Sequence, residues 1–545
     1  MKRGHVLVFA AVVALRAAPA SAQHDASHAH GATEALGTVD FPTSCRADVA
    51  DAFTRATALL HSFGYEEARK GYQDVARRDP QCGMAHWGIA MTYYHPIWAP
   101  PDPGELAAGR SAAETAAAVG AKTDRERAYI AAIGAFYRES EPHRRPQLFR
   151  EAMEDLARRF PQDDEAAIFR ALTLLATAPP SDTTFANQKK AAESLNRLLA
   201  THPDHPGIAH YVIHSFDYPA LANEALPAAR AYAKIAPSSP HALHMPSHIF
   251  TRLGLWPESI ASNIDSAAAG RHLVAQAHPG AASFDTLHAL DYLEYAYLQM
   301  DDETQARLVL EEAARAQTFD EPNFAAAYAL AAVPARWALE RRDWAAAAGL
   351  ALPSAAMPWQ RFPYVPAITY FAQAIGAARS GQLESAAAAV GRLQEVQAGL
   401  AKAPPAGPYD WAAHVESLRL AAAGVVARAE GRDAEALRLL RSAAELDEET
   451  GKHPVTPGSI LPARELLAEV LLEMDRATEA LKEYEAALRE APNRFNSLAG
   501  AARAAEGAGQ APRAAELYAK LIETTVPGAQ RPELLAARRA VAAKR

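Results

Sequence analysis

Cysteine is almost missing from this chain: Cys45 and Cys82 are the only two in 545 residues. That excludes a disulfide-rich framework and allows at most one bridge. Cations are not in excess either, with 55 Lys and Arg against 64 Asp and Glu and a formal net charge of −9. Without a basic face, no nucleic-acid partner is expected. No stretch after residue 22 is long and apolar enough to span a membrane. No segment of useful length alternates as a strand should. GxSxG, HExxH, CxxC, a P-loop and a GxGxxG following a strand are all absent. An enzyme on this chain would have to be built from helix-borne histidines and acids. At this length a single core is not expected; several domains or an extended repeat array are.

The first residues have the order of a secretory signal. Lys2 and Arg3 form a basic start, Val6 to Leu15 an apolar stretch, and Ala20-Ser21-Ala22 a small-residue cleavage site. Removal of 1–22 would leave a periplasmic or secreted chain without a membrane span. Arg16 interrupts the apolar stretch, so an uncleaved anchor is the alternative. In an exported protein Cys45 and Cys82 are expected to pair; two buried thiols are the other reading. Residues 23–43 read as a flexible leader. His24, His28 and His30 within it are either metal donors or simply part of a polar tail.

From residue 44 onward, apolar residues recur at helix spacing, with Pro, Gly and Asp at short turns. The helices come in pairs and the pairs repeat. Copies include SFGYEEARKGYQDVARRDPQ, RLGLWPESIASNIDSAAAG, EVLLEMDRATEALKEYEAALREAPNR and ARAAEGAGQAPRAAELYAKLIETTVP. This pattern resembles the tetratricopeptide repeat. The resemblance implies a small residue at one place in each second helix, where paired helices approach closely. Ala68, Ala225, Ser259, Ala306, Ala386, Ala480 and Ala514 fill that place, and Pro80, Pro203, Pro237 and Pro492 close units. It further implies an all-α fold: a right-handed α-solenoid superhelix of about eleven helix-turn-helix repeats, its first helices lining a concave face. The repeats divide into 44–202, 203–320 and 321–527, followed by a C-terminal helix or tail, 528–545. Phrases such as HPGIAHYVIHSFDYPALA and PHALHMPSHIFTRLG also resemble a group of exported bacterial tetratricopeptide proteins. That likeness brings no established reaction.

Ten of the twenty histidines lie between 202 and 288. Two His-x-x-x-His pairs, His210/His214 and His244/His248, stand thirty-four residues apart, one repeat length. Histidines at i and i+4 share a helix face. Aligning the repeats puts His210 and His244 at one helix position, His214 and His248 one turn later, and His241 and His288 at a third. Asp291 and Tyr295 take the first two positions in the next unit. Packed helices lie about 8–10 Å apart, so imidazoles on neighbours can meet at a metal about 2.0–2.1 Å from each nitrogen. His210, His214, His244 and His248, with His288 and Asp291, are the candidate ligands for Zn, Cu, Ni or Fe. His205, His241 and Tyr295 are their neighbours. Three histidines with an open position would be a catalytic geometry, and four closed ligands a structural one. The alternatives are duplicated packing residues without function, or contacts to an acidic peptide in the groove. His61, His86, His95 and Trp98 read as packing and capping groups, and Trp87 and Trp256 as repeat core. His202, His205 and His453 read as turn or loop residues.

Together these readings predict an exported binding or assembly module that takes a protein or peptide in its concave groove and carries a candidate transition-metal site. The alternative is a metalloenzyme that uses the histidine cluster.

Overall fold

Among the described residues, eight helix pairs are joined by the same turn, and its backbone geometry explains the repeat. In a computed structural model, the residues described are Met1, 34–97, 100–179, 182–353, 356–403 and 409–542. The signal beyond Met1, the leader histidines and Trp98 lie outside them. In each turn a left-handed residue stands two places before the second helix. These residues are Phe63, Gly254, Asp301, Arg342, Gly381, Gly431, Asp475 and Gly509. The N–H that follows each one returns to the carbonyl five residues earlier, at 2.8–2.9 Å. This is the Schellman closure, which satisfies carbonyls left over at a helix end. It reverses the chain so that the second helix lies back on the first.

Three residues into the second helices sit the small residues that the repeat pattern singles out. Ala68, Ser259, Ala306, Ala386 and Ala480 are fully buried, and Ala514 nearly so. Larger side chains there would push the paired helices apart. The expected all-α solenoid is what forms. Among the described residues no strand occurs, only an isolated bridge between Ala282 and Phe319. The helix Pro532–Ala542 forms in the C-terminal segment. No described helix is long and apolar enough to cross a membrane.

From Ala35 on, the chain forms one compact unit. One hydrophobic core draws on residues from Leu36 to Phe250, and a second on residues from Leu287 to Ala537. Trp256, Tyr295 and Ala296 form a small separate cluster. The solenoid also folds onto itself. Trp256 Nε1–H donates to the Asn493 carbonyl at 3.0 Å, and the Val526 N–H to that of Met300 at 2.9 Å. The 451–459 segment reaches back across the middle of the chain, where its Thr456 carbonyl accepts from the Tyr292 hydroxyl at 3.2 Å.

The flexible-leader expectation needs correction at its end. Residues 35–41 form no regular element but pack on the body, with Leu36, Val39 and Phe41 buried. The Thr38 N–H donates to the Asp204 carbonyl at 2.9 Å. Three apolar side chains in six residues suffice to dock a segment that otherwise reads as polar tail.

Cys45 and Cys82 are disulfide-bonded, so with nearby Asp79 they offer no thiolate to a metal. The bridge spans 37 residues and pins the entry of the first helix to the loop that closes the first pair. Closing a loop of this size removes about 3–4 kcal/mol of denatured-state entropy. Reductant should therefore lower the urea midpoint of the native chain and leave a Cys45→Ser/Cys82→Ser variant unmoved. Equal midpoints with and without reductant would remove the bridge from the stability account.

Candidate metal centre

The six histidines between 210 and 288 that align at repeat positions come together as two trios rather than one four-membered patch. His210, His214 and His241 form the first, and His244, His248 and His288 the second. In each trio the candidate ligand atoms lie within 4.8 Å of one another. Each His-x-x-x-His pair takes its third member from the first helix of the following repeat, at the third aligned position. His210 and His214 lie on Pro206–Phe216, one turn apart. His241 and His244 lie on Pro240–His244, and His248 on Pro246–Arg252. The expected single helix is thus broken at Pro246, whose nitrogen cannot donate to the ladder. Met245 keeps helical angles (φ −53°, ψ −35°), so the i, i+4 relation survives the break. His288 comes from Phe284–Gln299.

Within the first trio, His210 Nε2 lies 3.1 Å from both His214 Nε2 and His241 Nε2. Within the second, His244 Nε2 and His248 Nε2 are 3.0 Å apart, and the His244 and His288 ring centroids 4.1 Å. The trios adjoin: ring centroids are 6.2 Å apart for His214 and His248 and 6.4 Å for His241 and His244.

The outer nitrogens settle which inner ones carry protons. His210 Nδ1–H donates to the His61 carbonyl at 2.6 Å. Asn263 turns its Nδ2 toward the Ser259 carbonyl at 2.8 Å, which leaves Oδ1 to accept from His244 Nδ1–H at 2.7 Å. His248 Nδ1–H donates to Asp217 Oδ2 at 3.0 Å. Asp217 is buried yet held well below the usual carboxylate range by Lys452 and Arg252, so it only accepts. Each of these three imidazoles therefore points an unprotonated Nε2 inward. His244 and His248 aim two lone pairs at each other across 3.0 Å. Protonating one ring would relieve this, but burial opposes that throughout. It holds His210 down to about 3 and His214, His241, His244 and His288 well below 6.5. His248 is lowered less, because Asp217 opposes the effect. A cation accepts both lone pairs at once. Two nitrogens on a tetrahedral ion with bonds of about 2.0–2.1 Å stand roughly 3.3–3.4 Å apart, close to the observed spacings.

The six imidazoles are 0–8 % exposed, so they do not face an open groove. Phe63 covers the first trio, its ring centroid 4.4 Å from that of His210, 5.7 Å from His214 and 5.6 Å from His241. Tyr292 lies against the second, at 4.7, 5.1 and 5.5 Å from His244, His248 and His288. Its hydroxyl is 3.3 Å from each His248 nitrogen.

Other expected members lie elsewhere. Asp291 is not with the histidines; its carboxylate accepts from the buried Arg336 guanidinium at 3.2 Å. The next residue, Tyr292, packs on the imidazoles instead. Tyr295 packs on Trp256, and its hydroxyl accepts from Arg494 at 3.0 Å. His205 is no solvent-facing turn residue: it is buried and bonded to Glu165. His61 is no mere packing group either, since its carbonyl fixes the His210 tautomer. His453 does lie in a loop, stacked on Trp411. Asp217, Asn263, Tyr292, Lys452 and Phe63 were not foreseen. Asp217 alone left a signal, three residues past His214 in HSFDY.

No protein-family model and no curated protein matches the chain. Similar solved structures include the human IFIT1 dimer with m7Gppp-AAAA, at TM-score 0.36 and 11% identity over 81% of this chain and 90% of that one. The yeast Tom70 crystal structure is similar at TM-score 0.32 and 11% identity, over 91% and 96%.

Two outcomes follow from this geometry. The metal-free chain should lose stability as pH falls below about 6.5. Histidines neutral in the fold become protonated only in the unfolded chain, so acid favours unfolding. For His210 the window runs from about 6.5 to about 3, and each such histidine costs about 1.4 kcal/mol per pH unit within it. Urea melts at pH 7 and pH 5 measure this; equal midpoints would contradict neutral imidazoles. Separately, if the trios hold metal, Asp217→Asn should weaken binding at the second by ~10–100-fold and spare the first. Copper titration would then show only the second trio's ion weakened and the first trio's ion retained at wild-type affinity, whereas uniform weakening would deny the two trios their independence.

Proposed function

We propose that this protein binds two transition-metal ions at adjoining three-histidine sites inside a helical solenoid. The observation that carries this reading is the pair of inward lone pairs on His244 and His248, held by Asn263 and Asp217. Donation of the outer N–H to a carboxylate, amide or carbonyl is the usual support of metal-ligating histidine. All-imidazole donors suit Zn, Cu, Ni or Fe, and the divalent affinity order places copper first. Three protein ligands leave one coordination position for water or substrate, which keeps the metalloenzyme reading in place with its reaction unnamed. Peptide contact by these imidazoles would need an open wall, and theirs is covered. A binding or assembly role for the solenoid would use other surfaces. The disulfide and the signal-like start support export to the periplasm or beyond, and with it membership of the exported bacterial group.

The test is metal counting on untagged, full-length protein. Stripped and re-equilibrated with Cu²⁺ or Zn²⁺, the six-histidine centre should take up two ions. His210→Ala or His244→Ala should each lose one, while His202→Ala loses none. Retention of wild-type stoichiometry by the His210→Ala/His244→Ala double variant would end the proposal.

A further inference from the structure

A second kind of site lies beside the first trio, with different chemistry. His61 ends the helix Ala50–His61, Glu165 stands in the first turn of Asp164–Ala176, and His205 caps Pro206–Phe216. Three helix ends thus deliver three donors to one point, and all three side chains are buried. Glu165 Oε2 accepts from His61 Nε2 at 2.9 Å, and Oε1 from His205 Nε2 at 2.9 Å. His61 Nδ1 is 3.1 Å from the Tyr211 hydroxyl, and that hydroxyl can donate or accept. His61 therefore keeps a partner when its Nε2 turns from proton donor to ligand. His205 Nδ1, on the far side of its ring, is buried without a hydrogen-bond partner among the described residues, so the orientation of this ring rests on its Nε2 side alone.

The group is reached from outside, unlike the six-histidine centre. Glu165 and His205 line a cleft of about 460 Å³, together with Asp40, Asp163, Asp164 and Arg159. Arg125 also lines it but is engaged in two bonds to Asp163, at 2.7 and 3.0 Å. Asp40, Asp164 and Glu165 then stand against Arg159, so the cleft favours a cation.

We infer that His61, Glu165 and His205 form a third metal site, for a divalent cation of the zinc class admitted through this cleft. Two imidazoles and a carboxylate make the donor set of open zinc sites and of two-histidine, one-carboxylate iron sites. The oxygen ligand and the solvent route separate it from the enclosed all-nitrogen trios. It is independent of the six-histidine reading, although the two touch at His61, whose carbonyl accepts from His210.

The experiment counts Zn²⁺ on stripped full-length chain by mass spectrometry of the metal, with Co²⁺ absorption as a second readout. Wild type should bind three ions and Glu165→Gln two, with matched helical content. The His210→Ala/His244→Ala variant should keep the Glu165-dependent ion. If the six-histidine reading alone fails, wild type binds one ion and Glu165→Gln none. A folded Glu165→Gln that keeps the full wild-type count and Co²⁺ spectrum overturns the proposal, whatever its melting temperature. Should that variant not fold, His205→Asn at the helix cap replaces it under the same criterion.

Discussion

Two imidazole nitrogens 3.0 Å apart, neither carrying a proton, set the demands that the surrounding structure meets. Their lone pairs face inward because the outer N–H groups are committed to Asn263 and Asp217. Asp217 accepts that N–H as an anion, and an anion this buried needs cations beside it. Arg252 comes from the neighbouring turn, at 2.9 Å. Lys452 comes from 235 residues away, at 2.8 Å, pulled down to about 8 by its own burial. The tautomer of one histidine thus depends on the solenoid folding back on itself. A stack of repeats that touched only their neighbours could not supply that lysine.

The first trio depends on the repeat turn instead. Glycine fills the left-handed slot in four of the eight turns, Asp or Arg in three, and phenylalanine in one. An L-residue there costs about 1–2 kcal/mol, and a bulky ring makes Phe63 the outlier. Its ring lies over all three imidazoles of the first trio. Strain persists at positions that the surroundings over-determine, and here the return is a dry cover over the ligands. The second trio has a phenol in the corresponding role. The two sites are alike in ligands but differ in their fourth neighbour, a hydrocarbon edge at one and the Tyr292 hydroxyl at the other. Ions held there would differ in potential and in access to a further oxygen ligand.

Much of this was legible in the chain. The phrases that mark the repeats, such as SFGY, LGLW, SGQL and EGRD, each place the left-handed residue at a fixed distance before the buried small residue. The alignment of His210 with His244, and of His241 with His288, followed from that register. The partition was not legible. An alignment by equivalent positions shows which residues correspond, whereas ligand sets are made between neighbours. His241 therefore serves the pair before it, not the pair on its own segment. Asp291 shows a second limit. It shares an aligned position with His210 and His244, but a nearby buried guanidinium competes for the carboxylate, and Arg336 lies 45 residues on. Glu165, Asn263 and Lys452 carried no local signal, because what matters about each is a partner brought up by tertiary packing.

The placement of the centre has a consequence for how the molecule holds together. Its ligands come from residues 210 to 288, at the passage between the two hydrophobic cores. Its outer partners come from residue 61 on one side and 452 on the other. Repeat arrays are ordinarily stabilised by the sum of neighbouring interfaces, so that one region can loosen without the rest. Ions bound here would be held only when the first helix pair, the middle and the 451–459 segment are in place together. Their binding free energy would then count toward closure of the whole array, as metal binding counts toward folding wherever the site does not exist in the unfolded chain. The break at Met245–Pro246 lies inside this arrangement, with a helix bond already given up to the proline nitrogen. That segment lacks one helix bond of its own, and its geometry therefore leans on what His244 and His248 share.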